Sequence, residues 1–414
     1  MPERLAERVR ALPGMDALLP ALQGLAPAYL VGGAVRDLIR GQRAVDLDVA
    51  VEGDAPAVAR EVAARTGGEA IVHERFGTAT VRAPRVVADL ATTRRERYEH
   101  PGALPDVESA PLEEDLARRD FAINAMAIAL AGDRLGHLHD PHGGRADLDA
   151  GVVRVLHELS FLDDPTRLLR AVRYEARLGG RMDRDTETLA REAIAGGALA
   201  TVSGHRIRDE LMDLLGEVEV GRAVGRMADL ELDRALDPAL SADAEPVASA
   251  ALACLETGAD RALAALATLV SRDPDALAPW VETLGLRRSD RERVLAAARQ
   301  APSLVPPLRM ELPRSAVHAL LRCEPPETLA LALALGAPAG PLLRFLADLR
   351  DVHLEIGGDD LIAAGVERSP AIGRALDEVL RRKLDGEVSG REEELEAALA
   401  AARAARGEPG GEAR

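Results

Sequence analysis

The chain has 414 residues and a formal charge of −17, with 47% apolar but only 2% aromatic residues, so two to four domains with ample core material are expected. The acidic balance excludes a general polyanion-binding surface, and a nucleic-acid partner must be met by local basic patches. No apolar run reaches the length of a membrane span and the start, MPERLAERVRALPG, lacks a signal-peptide core, which predicts a cytoplasmic protein with no membrane partner.

Residues 27–130 mix strand and helix signals. AYLVGG and VDLDVAV are short β-rich runs with a helix pattern, AVRDLIR, between them. EAIVHERFGTATVRA and RVVADLATTR read as further strands separated by an Ala-Pro-Arg turn. Residues 94–114 carry three prolines and no periodicity, which predicts a long loop with Arg94, Arg95, Arg97 and Tyr98 at its base. From about residue 115 onward the pattern is helical, beginning with DLARRDFAINAMAIAL and then DPTRLLRAVRYEARLGGRM with its Gly-Gly stop. HRIRDELMDLLGEV, ADRALAALATLVSR, RERVLAAARQ, SAVHALLRC and SPAIGRALDEVLRRKLDGEV continue it, and 405–414 reads as a frayed end. Cys254 and Cys323 have no metal or redox spacing and read as small buried residues, and Trp280 reads as core.

The chemistry concentrates in a few stretches. Val45, Asp46, Leu47, Asp48 and Val49 form a strand pattern, so Asp46 and Asp48 share one face roughly 7 Å apart along the chain. Two such carboxylates suit a divalent ion such as Mg2+ together with substrate phosphates, though Asp-x-Asp alone also fits a solvated acidic edge strand. Gly32 and Gly33 follow a strand and precede a helix, where backbone N–H groups face an anion. Asp89 is a candidate third carboxylate. The spacing matches neither the dinucleotide fingerprint nor the P-loop and suits a nucleotidyl-transfer site.

Five ordered stretches spanning 30–211 then resemble the class II tRNA nucleotidyltransferase/poly(A) polymerase family of the polymerase β-like superfamily. LVGGAVRDLIRG…DLDVAV is similar to its motif A, and RRDFAINAMA (118–127) to motif B. DPHGGRADL (140–148) is similar to motif C, DDPTRLLRAVRY (163–174) to motif D and SGHRIRDEL (203–211) to motif E. The resemblance implies an α+β fold: a small mixed-sheet nucleotidyltransferase head (1–140) followed by an elongated all-α neck (141–215), body and tail (216–400), with 401–414 disordered. It implies that Asp46 and Asp48 are catalytic metal ligands for Mg2+ and that Gly32, Gly33 and Arg36 seat the triphosphate, Asp37 orienting Arg36. Arg118, Arg119, Asp120 and Asn124 would contact the ribose and phosphates. Taken alone, Arg118 and Arg119 also read as a solvated helix face.

Asp164-Pro165 is an N-cap with Pro at the first helical position, and Asp164 with Arg167 is an ordinary i,i+3 ion pair. The same two side chains could read bases: the carboxylate accepts from the amino group of cytosine or adenine while Arg167 donates to the ring nitrogen. Uracil and guanine reverse that order. The family carries this role on E-D-x-x-R, and Asp163 stands here in place of the Glu. Arg170 and Arg173 follow on the same helix as further nucleotide-binding candidates. Arg206, Arg208, Arg287 and Arg288 are candidate RNA contacts that equally fit solvated helix faces.

The activity implied is transfer of CMP, CMP and AMP from CTP and ATP to the tRNA 3′ end, with release of pyrophosphate. An A-adding or CC-adding specialist uses the same head. A poly(A) polymerase would be expected to carry a basic tail, against which the acidic C-terminus counts. A non-catalytic RNA-binding scaffold is opposed by the intact acids.

Overall fold

The computed structural model describes residues 2–42, 46–97, 99–100, 102–103 and 106–404. The expectations placed on Val45, Tyr98 and 405–414 lie outside these. Two compact units are present, Met1–Pro238 and Ala239–Arg414.

The first unit opens with helices α1 (Pro2–Arg10) and α2 (Met15–Leu22), then β1 (Ala28–Val31), α3 (Gly33–Arg40), β2 (Asp48–Val51) and α4 (Ala55–Thr66). Strands β3 (Glu69–His73), β4 (Thr78–Ala83), β5 (Val86–Thr92), β6 (Arg94–Arg97) and β7 (Asp106–Ser109) follow. After α5 (Leu112–Ala117) come β8 (Ala127–Ala129) and β9 (Leu138–His139). Among the described residues one sheet runs β3-β4-β5-β2-β1-β8-β9, with β2 parallel to β5 and the other pairings antiparallel.

Strand alternation decides which face is covered. Leu30, Val49, Val51, Leu90 and Ile128 join one large apolar cluster with residues of α1, α2, α3 and α4. Tyr29, Val31, Ala50 and Ala127 point to the other face and pack on Leu112 and Leu116 of α5. Asp48 of β2 and Asp89 of β5, neighbours in register, alternate with Val49 and Leu90 and so lie on that second face. The mixed-sheet head expected from the sequence is therefore present.

Two expectations fail in this region. AIAL, read as the end of an amphipathic helix, is the buried strand β8 beside β1, with Ala127, Ile128 and Ala129 all buried. A short run buried on every side has no period that separates strand from helix. Residues 94–114, read as a loop, contain the β6–β7 ribbon, which pairs Arg95 with Glu108 and Arg97 with Asp106. Arg95 Nε lies 3.5 Å from Glu108 Oε2, so opposite charges across the strands supply the pairing that apolar alternation usually signals.

The rest of the first unit is mainly helical: α6 (Gly144–Ala150), α7 (Ser160–Asp163), α8 (Arg167–Leu178), α9 (Arg184–Ala195), α10 (Gly204–Leu215) and α11 (Val220–Asp229) among its elements. Gly179 caps α8 at φ +69°, the Gly-Gly stop read from the sequence. The Asp140 carboxylate accepts the N–H groups of Gly144 (2.7 Å) and Arg145 (3.0 Å), fixing the start of α6. The second unit is helical throughout its described residues, with Trp280 in its core. Cys254 is half-buried and Cys323 exposed, not the buried pair expected. Among the described residues no helix is long and apolar enough to cross a membrane.

Gly144 packs so tightly on the 122–124 turn that a Cβ would lie 1.9 Å from the Ala122 carbonyl oxygen. Gly144→Ala should therefore cost about 1–3 kcal/mol, read as a lower urea midpoint. An unshifted midpoint would show that α6 can slide away at no cost.

Candidate active site

β1 runs into Gly32, whose backbone (φ +67°, ψ −135°) is closed to ordinary side chains. A Cβ there would also sit 3.1 Å from Arg119 Nη1. Helix α3 starts at Gly33, and both glycines line a cleft of about 420 Å3, so the unpaired N–H groups of the first turn open onto it. Arg36 lies beneath this seat and is buried. Its Nε and Nη2 donate to Asp37 at 2.9 and 3.1 Å, and its Nη1 donates to Asn124 Oδ1 at 2.9 Å. Asp37 thus orients Arg36, while Arg36 packs under the Gly32–Gly33 turn and does not line the cleft.

Asp48 opens β2 in register with Asp89 of β5, and Asp89 in turn faces Thr80 of β4. Thr80 Oγ1 donates to Asp89 Oδ1 at 2.5 Å. Asp46 lies in a bend before β2 and is exposed, not inside the strand as expected. β1 has already turned away at Gly32, so residues before Asp48 have no β1 partner to extend the pairing. Asp46 still acts electrostatically. Burial, then the charges of Asp89 and Asp46, push the Asp48 carboxyl above its ordinary value of 3.8, against a smaller opposing pull from Arg119. Among the described residues no three His, Cys, Asp or Glu side chains converge to hold a metal ion unaided.

Behind the carboxylates, α5 delivers two arginines. Asp115, buried, takes Arg118 Nη2 at 2.7 Å and Arg119 Nη2 at 3.0 Å, and Glu96 of the ribbon takes Arg118 Nη1 at 2.7 Å. Burial pushes the Asp115 carboxyl up, but the two guanidiniums win and hold it below the usual range. Arg118 and Arg119 are therefore part of the site and not a solvated helix face. Asp120 is also buried: its oxygens accept from Asn124 Nδ2 (3.0 Å), from the Phe121 N–H (2.8 Å) and from Arg170 Nε and Nη2 (2.9 and 2.7 Å). Burial raises the Asp120 carboxyl, but Arg170 and the Asn124 hydrogen bond hold it low.

Helix α8 begins at Arg167, two residues later than Asp164-Pro165 suggests. The N-cap of α8 is Thr166 and not Asp164, whose Oδ1 instead accepts the Thr166 N–H at 3.1 Å and its hydroxyl at 2.6 Å, an Asx-type turn before the helix. The expected Asp164–Arg167 ion pair is replaced. Asp164 Oδ1 pairs with Arg206 Nη2 at 2.8 Å, and Arg167 donates to Ser160 Oγ (2.7 Å) and the Arg118 carbonyl (2.8 Å). Each is fixed by other elements, and both line the cleft.

The cleft gathers Gly32, Gly33, Asp48, Arg118, Arg119, Asp120, Asn124, Asp164, Arg167, Arg170 and Arg206 from four of the five sequence stretches, while the 140–148 stretch contributes no lining residue. Arg173 is buried behind it, against Asp213 and 3.7 Å from Glu210. Arg208 pairs with Asp209 at 2.7 Å on α10. In the second unit, Arg287 and Arg288 are exposed at the start of the helix Arg288–Leu308, Arg288 pairing with Glu292 at 2.8 Å.

Sequence reading missed Glu96, Asp115, Ser160, Tyr174 and Glu210. A signal existed for Asp115, since acids three and four residues before an arginine pair on a helix meet it. None existed for Glu96, which lines the cleft, or for Ser160, which is buried behind Arg167, because only folding brings them there.

Two measurements test this geometry. Because Asp48 is raised in the folded state, its contribution favours the fold below the ordinary carboxyl value of 3.8 and is lost as pH rises through the raised folded value. Asp48→Asn should therefore be more stable than wild type at pH 7 in metal-free urea titrations, with the gap closing in acid. A gap that fails to close would refute the charge origin. Gly32→Ala should weaken inorganic triphosphate binding by about tenfold or more, a left-handed Cβ penalty of roughly 1–2 kcal/mol, while Gly33→Ala, whose Cβ meets nothing nearer than 3.5 Å, changes it little.

A model of the Poly A polymerase head domain matches residues 28–154. An A-adding tRNA nucleotidyltransferase of Geobacter sulfurreducens is 35% identical over 396 residues, covering 90% of this chain and 45% of that protein. A CC-adding tRNA nucleotidyltransferase of Deinococcus radiodurans is 33% identical over 368 residues, covering 88% and 87%. Among solved structures, the Thermotoga maritima CCA-adding enzyme complexed with tRNA(CCA) is 34% identical with a TM-score of 0.74, covering 90% of this chain and 91% of that one. The chain thus spans less than half the length of the Geobacter relative and most of the other two. Likeness over most of their length to such relatives, with four of the five motifs drawn into one cleft, places the chain in the class II tRNA nucleotidyltransferase/poly(A) polymerase family.

Proposed function

We propose that the protein is a template-independent tRNA nucleotidyltransferase, adding CMP, CMP and AMP from CTP and ATP to a tRNA 3′ end and releasing pyrophosphate. The observation that carries this is the single cleft uniting a glycine triphosphate seat, Asp48, and the Asp164 and Arg167 side chains.

The acids fit a divalent ion. Asp48 is held near Asp46 and Asp89 at an electrostatic cost that a cation relieves. Asp46 and Asp48 would hold Mg2+, which suits oxygen ligands shared with substrate phosphates. When bound, it supplies Lewis-acid stabilisation of charge on the phosphates and on the attacking oxygen. The residues supply the rest. The N–H groups after Gly32 bind the triphosphate, and Arg119, 18% exposed at its side chain, offsets its charge. Asp89, beside Asp48, accepts the proton of the attacking 3′-hydroxyl. That oxygen forms the bond to the α-phosphorus as the bond to the pyrophosphate oxygen breaks.

Base choice falls to Asp164 and Arg167. The Asp164 carboxylate accepts the amino proton of cytosine or adenine, and Arg167 donates to the adjacent ring nitrogen. Arg206 and the Thr166 cap hold Asp164, all on Oδ1, while Ser160 and the Arg118 carbonyl hold Arg167. Both readers are thus oriented before a nucleotide arrives, and uracil or guanine leaves buried polar groups mismatched. Arg206 then serves the reader, and Arg208, Arg287 and Arg288 remain for RNA phosphates. The family relatives act on tRNA, and a cytoplasmic location follows. A-only addition is the second reading, favoured by the A-adding Geobacter relative.

The test supplies tRNA ending at the discriminator base or at CC, or generic RNA, with CTP, ATP or both. Completion to CCA is expected; addition of A alone selects the second reading, and long A tails or arrest at CC sink both. Asp46→Ala and Asp48→Ala should abolish addition. Arg167→Ala should cut the CTP-over-UTP preference by about 100-fold or more, out of the roughly 10⁴-fold that a hydrogen-bonding site provides. Intact selectivity would refute the reading of bases by this pair.

A further inference from the structure

Tyr174 lies on α8 seven residues after Arg167, is buried, and reaches the cleft. Three guanidiniums surround its ring: Arg36 at 5.1 Å, Arg173 at 5.4 Å and Arg170 at 5.6 Å from the centroid. Phe121 meets it edge-on at 5.7 Å, and Arg170 Nη2 donates to its hydroxyl at 3.2 Å. Arg170 and Arg173 belong to its own helix, but Arg36 comes from α3, directly under the triphosphate seat.

Three cations around one side chain repel one another. Acids restrain each of them: Asp37 holds Arg36, Asp120 and Glu210 hold Arg170, and Asp213 holds Arg173. The aromatic face adds what an aliphatic side chain of equal size cannot, a negative quadrupole that attracts a guanidinium from either side. Tyr174 is the direct contact between Arg36 and α8, through both its ring and its hydroxyl. The other link runs indirectly through Asn124, Asp120 and then Arg170.

We propose that Tyr174 is a positioning residue that locks the triphosphate seat on α3 to the base-reading helix α8, so that a seated triphosphate presents its base in register with Asp164 and Arg167. This rests on the nucleotidyl-transfer reading above. Its distinctive consequence is that losing the ring uncouples the two halves of nucleotide recognition without dismantling either.

Tyr174→Leu and Tyr174→Phe test it, with calorimetric titration of CTP and of inorganic triphosphate and with kcat/KM for CTP and UTP on tRNA. Tyr174→Leu should bind inorganic triphosphate within about twofold of wild type, yet bind CTP about tenfold more weakly and lose about tenfold in CTP-over-UTP preference, the scale of one desolvated cation–π contact. Tyr174→Phe keeps the ring and should restore the preference to within about threefold of wild type. Tyr174→Met, also ringless, gives the same readings if the leucine variant does not fold. Equal loss of triphosphate and CTP binding, or an unchanged preference in both ringless variants, overturns the proposal. A wild-type protein that adds no nucleotide to tRNA overturns the transfer reading instead, and the calorimetric comparison still reads Tyr174.

Discussion

Everything in the cleft depends on one buried carboxylate, Asp120, and the Arg170 guanidinium fifty residues later in the chain. Asp120 also holds Asn124, which receives Arg36, which holds Asp37; Arg170 in turn reaches Glu210 on α10. One continuous chain of charged hydrogen bonds thus ties the start of α3, the 118–124 turn, α8 and α10. A buried ion pair of this kind is weak grounds for overall stability, because desolvation offsets most of its attraction. Its value is geometric. Each group has one set of satisfying partners, and missing any of them leaves a charge buried.

The same logic explains how a chain of net charge −17 presents a basic cleft. Most arginines that reach it are restrained by an acid behind them: Arg118 and Arg119 by Asp115, Arg170 by Asp120 and Arg206 by Asp164. The acids hold the guanidiniums in fixed rotamers, so less side-chain entropy is lost when an anion arrives. Opposite this wall stand Asp48 and Asp89 with Asp46 nearby, where like charges raise Asp48. The cleft has two electrostatic sides, one suited to phosphate and the other to a cation.

Much of the fold was legible in period and punctuation. Gly-Gly after ARL ended α8, and β1, β4 and β5 lay where β-rich runs predicted. What failed had no local period. β8 is buried on all sides, and the β6–β7 ribbon sets Arg95 against Glu108 across its strands, a pattern that looks like polar loop. Gly32, Asp48, Arg119, Asp164 and Arg167, singled out by residue type and motif order, all line the cleft. Arg36 was found with the wrong orientation in mind, since only packing shows that it lies under the seat.

The sequence by itself determined which side chains are candidates for chemistry, because carboxylate, guanidinium and glycine at given spacings have few uses, and it determined the order of the elements that bear them. Tertiary structure alone decided how they combine. Asp48 and Asp89 become neighbours only because β2 and β5 pair in parallel, and Asp164 and Arg167, predicted to bind each other, are drawn apart to Arg206 and Ser160. An ion pair written into one helix turn is satisfied locally at small gain, whereas partners brought from α7 and α10 leave both groups fixed and turned to the cleft.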